Sequence, residues 1–132
     1  NIVLDSLTAL HNKRGDSVKI LFDCSVRDDT LMQYQAYIRE GKMSKTKENG
    51  DLFQQDLKAM VEGLQKNIEG VGIYVWEYGL DKQTQNTQHT IISDNAVFKD
   101  KWNGGKSMAD WMFNAVNGNV KTYGLELLDK KD

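Results

Sequence analysis

The chain contains no proline, one cysteine, Cys24, and two histidines, His11 and His89. A lone thiol cannot form a disulfide within the chain, and two histidines this far apart match no local ligand spacing, so neither a disulfide nor a metal staple is expected. Lack of proline removes rigid turns and favours regular elements. No apolar run approaches the ~20 residues of a membrane helix, and the first residues lack the basic flank and apolar core of a signal peptide, so no membrane insertion is expected. The formal net charge is only −2, which gives no general attraction to nucleic acid or anionic lipid. Asn1 rather than Met at the start is compatible with a removed tag, a processed leader or an anchor before residue 1, so the sequence does not assign a compartment.

Residues 1–132 are one domain's worth of chain, enough to bury roughly two thirds of the unfolded surface without a staple. The most regular stretch is Asp51 to Gly79. Phe53, Leu57, Met60, Val61, Leu64 and Ile68 recur at steps of three and four, which places them on one helical stripe. Asp51 stands where an N-cap belongs and Gly70 where a left-handed helix end belongs. The period then changes to two: Val71, Ile73 and Val75 alternate with Tyr74, Trp76 and Tyr78, predicting a strand with an aliphatic and an aromatic side.

Before this stretch, Ile2 to Leu10 predict a short helix, and Val18, Ile20, Phe22, Cys24 and Val26 alternate as a strand. Arg27 to Thr30 read as a polar turn, and Met32, Tyr34, Ala36 and Ile38 alternate again, predicting the return strand of a hairpin. Gly41 to Gly50 reads as a loop. After the aromatic strand, Thr87 to Ser93 predict a fourth strand, Asp94 to Gly105 an irregular segment, Met108 to Val116 a helix capped by Ser107, and Val120 to Leu128 a fifth strand. The expected fold is therefore α+β: a mostly antiparallel five-stranded sheet with helices on one face, in the order αββαββαβ. The alternative is a ferredoxin-like core with an N-terminal α-β extension.

Chemistry-bearing patterns are sparse. Gly104-Gly105-Lys106-Ser107 resembles part of a phosphate loop, but Asp100 stands where the first glycine belongs and no buried strand precedes it, so a loop and helix cap explain it better. Cys24 lies in register with apolar neighbours, which predicts an inert thiol. Asp28 and Asp29 fit a turn. Tyr74, Trp76 and Tyr78 have two readings, a covered core layer or an open sheet face that binds a partner through rigid amphipathic side chains. The open face leads to a non-catalytic protein-binding module, for instance an interaction, inhibitor or immunity-type protein or the exposed domain of an anchored protein; a homodimer is compatible with it, and nucleic acid is not expected. The competing expectation is a small enzyme or ligand-binding domain with a site between the sheet and residues 94–107, built from His89, Asp94 and Lys106. No cofactor motif is present in either case.

Overall fold

Ile20, Phe22, Cys24 and Val26 keep the alternation of a strand, and in the computed structural model, which describes residues 1–101 and 106–131, they frame strand β1 (Leu21–Ser25). All four pack into one apolar cluster. The chain does not then turn back as a hairpin. The segment expected as the return strand is helix α2 (Leu31–Glu40). Its pattern fits both periods: Met32 and Ala36 are four apart and buried, while Tyr34 and Ile38 are four apart and exposed. Asp28 decides for the helix, because its Oδ1 accepts hydrogen bonds from the amides of Thr30 (3.0 Å) and Leu31 (2.8 Å). Gly41 closes it in the left-handed region at φ 77°.

Helix α3 (Lys47–Asn67) starts a turn earlier than expected, since Thr46 Oγ1 accepts from Asn49 N at 3.1 Å. Asp51 is thus inside the helix rather than its cap, and part of the expected Gly41–Gly50 loop is helical. The stripe itself is as the spacing predicts: Phe53, Leu57, Val61, Leu64 and Ile68 are buried. Helix α1 (Ile2–Arg14) lies along α3 and adds Leu4 and Leu7 to the same cluster.

Strand β2 (Gly72–Trp76) runs parallel to β1, in register from Leu21 opposite Gly72 to Ser25 opposite Trp76. This overturns the five-stranded antiparallel sheet and, with it, the ferredoxin-like alternative. A parallel pair needs a long crossover, and α2 and α3 supply it. The two further segments expected as strands contribute isolated parallel bridges, Asp28 with Thr87 and Tyr74 with Tyr123, and the chain then enters a 3₁₀ turn at Leu125–Asp129.

Helices also cover both faces of the pair rather than one. Ile73 and Val75 point into the cluster beneath α3, whereas Tyr74 and Trp76 pack with Ile91, Val97, Met108 and Trp111. The last three come from or adjoin α4 (Asn95–Lys99) and α5 (Met108–Val116), the latter capped by Ser107 Oγ on Asp110 N at 3.0 Å. Two strands alone are marginal in water, so burial on both sides is what makes this small sheet the centre of the fold.

Candidate functional site

Beyond Ser25, the chain continues as Val26-Arg27-Asp28-Asp29 alongside the loop that follows β2. This is the carboxyl end of a parallel pair, the place where α/β folds gather polar groups. Thr87 joins the two segments: its amide donates to Arg27 O (3.0 Å), its carbonyl accepts from Asp29 N (2.9 Å), and its hydroxyl lies 2.5 Å from Ser25 Oγ.

Arg27 is buried, which a guanidinium tolerates only when its donors are met. Nε donates to Gln85 O (2.8 Å), Nη1 to Asp51 Oδ1 (2.5 Å) and Gln54 Oε1 (3.0 Å), and Nη2 to Lys47 O (2.9 Å). Burial pushes the Asp51 carboxyl up, but hydrogen bonds and charge from Arg27 and Lys47 outweigh it and hold the group below the usual range. Gly50 has a packing reason to be glycine: a Cβ there would stand 2.0 Å from Asn86 Oδ1 and 2.7 Å from Arg27 Nη2. Gln54 extends the network, its Nε2 donating to the carbonyls of Leu127 (2.9 Å), Leu128 (3.3 Å) and Lys130 (2.9 Å). Between this face of α3 and residues 128–131 lies a cavity of about 580 Å³ with Arg27 in its lining.

Asp28 faces the other way. Its Oδ2 is 2.7 Å from His89 Nδ1, and with the carboxylate ionised the ring must donate there, leaving Nε2 as its acceptor. Burial pushes the Asp28 pKa up, against the opposing bonds from Leu31 N, His89 and Thr30 N. The pair fixes an imidazole that is 42% exposed on a carboxylate that is 2% exposed, so the second ring nitrogen can accept a hydrogen bond from outside.

The aromatic residues on β2 are placed as a core layer. Tyr74 and Trp76 are 0% and 1% exposed and Tyr78 is half-buried against the same cluster. Each buried polar edge has a partner: Tyr74 Oη donates to Lys106 O (2.8 Å) and Trp76 Nε1 to Asp23 Oδ1 (3.4 Å). His89, Asp94 and Lys106 serve three different partners. His89 holds Asp28, Asp94 Oδ1 accepts from Val97 N (3.2 Å) at the start of α4, and the Lys106 carbonyl takes Tyr74. Gly104 and Gly105 of the phosphate-loop comparison lie outside the described residues. Cys24 is buried, and its thiol is pushed up by burial and by the charges of Asp28 and Asp23.

Sequence reasoning missed Arg27, Asp51 and Gln54 as one network. The available signal was Asp28 before, and Gly41 after, a segment that also satisfies helical spacing; reading α2 as a helix puts Arg27 at a strand end rather than in a hairpin turn. Exposed apolar residues also occur outside the sheet: on α2, opposite buried Met32 and Ala36, Tyr34, Tyr37 and Ile38 are 55%, 56% and 83% exposed and Leu31 borders them. Among the described residues, no group of three or more His, Cys, Asp or Glu side chains could hold a metal ion. No family model, curated protein or solved structure matches this chain.

Proposed function

We propose that this domain is a non-catalytic protein-binding module whose contact surface is the outer face of α2. The observation that carries the reading is the set Leu31, Tyr34, Tyr37 and Ile38, exposed together on the side of the helix facing away from the core. Tyrosine contributes large contact area at low entropic cost, and aromatic residues are enriched among binding hot spots. The helix end beside this face carries charges of both signs, Arg39 and Lys42 with Glu40 between them, and Lys45 beyond is paired with Asp29 at 2.8 Å, so the partner it fits is an apolar protein surface with a mixed polar rim. This replaces the sheet face as the contact surface, since Tyr74 and Trp76 are buried.

The test is capture of the partner from an extract of the source cells by the parent chain and by a Tyr34→Ser/Ile38→Ser variant, with identification of what is bound. The variant should melt as the parent does and lose the partner, because a hot-spot residue contributes about 2 kcal/mol or more to binding. Recovery of the same partner at the parent's level by a folded variant rejects the α2 surface.

A further inference from the structure

The cavity between α3 and the C-terminal segment is a different place from the α2 face and carries its own reading. At about 580 Å³ it falls within the range of small-ligand pockets. We propose that it binds a small molecule bearing a polyphosphate group. Two walls supply the charge: Lys47 and Lys58 from one face of α3, and Lys130 and Lys131 from the segment opposite, with the buried guanidinium of Arg27 also in the lining.

Against these five cations the lining holds two carboxylates, Asp51 and Asp129. Asp51 is divided between Arg27 and Lys47, Asp129 lies 2.5 Å from Lys58 Nζ, and Lys130 reaches out to Glu77 at 3.0 Å. A cationic excess remains in this lining although the net charge of the chain is −2, so the positive field does not come from the overall charge. Exposed ion pairs of this kind are weak, and lysines can turn from them onto a ligand. Lysine binds phosphate as a point charge, and ammonium groups spread over two walls match several linked phosphates better than one. The site is also built in advance, because the three bonds from Gln54 fasten the second wall to the first.

The experiment is a calorimetric titration of the full chain with sodium tripolyphosphate at low ionic strength. Saturable binding at one site per chain is expected, weakening as salt is added. Lys58→Ala/Lys131→Ala should weaken it roughly tenfold or more, while Lys13→Ala/Lys66→Ala, which removes the same charge from exposed positions outside the lining, should change it by less than about twofold. No saturable binding, or an equal loss in both variants, overturns the proposal. So does sulfate binding as tightly at matched ionic strength. A second readout uses the parent alone: tripolyphosphate should protect Lys58 and Lys131 from acetylation, and unchanged labelling of both counts against the site.

Discussion

Two aromatic-bearing segments of this chain, Gly72–Trp76 and Leu31–Glu40, end in opposite surroundings. In the first, Tyr74 and Trp76 lie in the middle of the protein; in the second, Tyr34 and Tyr37 stand in solvent. Composition does not separate them. What separates them is the neighbour at each intervening position. Alternating with the aromatics of β2 stand Ile73, before Tyr74, and Val75, between Tyr74 and Trp76, so both faces are apolar and both must be covered, as in parallel sheets. Between those of α2 stand Gln35 and Ala36, and only the Met32 and Ala36 side meets the core, which leaves the aromatic side without a layer over it among the described residues.

That contrast is broken most directly at Trp76. Replacing it with alanine should cost about 3–5 kcal/mol in a urea melt, because the ring is buried and leaves a cavity between β2 and α5. A midpoint equal to the parent's would place the aromatic side of β2 at the surface.

An intermediate effect is expected where α2 is tied to the strand end. Asp28→Ala removes the acceptor for two amides and should cost about 1–2 kcal/mol. Asp28→Asn should cost less. Burial raises the pKa of Asp28 in the folded state, so its ionised form works against folding above that pKa, and the penalty is relieved as pH falls through it. Asparagine keeps a capping oxygen and carries no charge at any pH. Melts of both variants at neutral pH check the order, and an asparagine variant weaker than the alanine one would show that the charge itself holds α2.

The smallest effect belongs to the exposed side. Tyr34→Ala should shift stability by less than about 0.5 kcal/mol, since the ring is more than half exposed. A loss comparable to that of Trp76→Ala would erase the distinction between the two segments.

The stripe of α3, the alternation of β1 and β2, and the Ser107 cap of α5 were legible because each follows a single period with a marked end. The topology was not, because Met32, Tyr34, Ala36 and Ile38 satisfy two periods at once, and choosing two made β1 antiparallel to its successor. The unbroken apolar run Ile73 to Trp76 already argued for a strand covered on both faces. Of the site, His89 was legible as a polar candidate, but its partner Asp28 is 61 residues away and could be found only once the loop after β2 was seen beside the end of β1. The Arg27 network was hidden for the same reason.

The position of β2 between β1 and Tyr123 sets an order on biosynthesis. Its first neighbour precedes it in the chain, whereas the second, which accepts from Val75 N at 3.0 Å and donates to Ile73 O at 2.9 Å, follows nearly fifty residues later. A growing chain that has released β2 but not Tyr123 presents an open apolar edge with Tyr74 and Trp76 still uncovered by α5, the state in which strands pair with the wrong neighbour. The last quarter of the chain therefore acts as the closing piece for its centre.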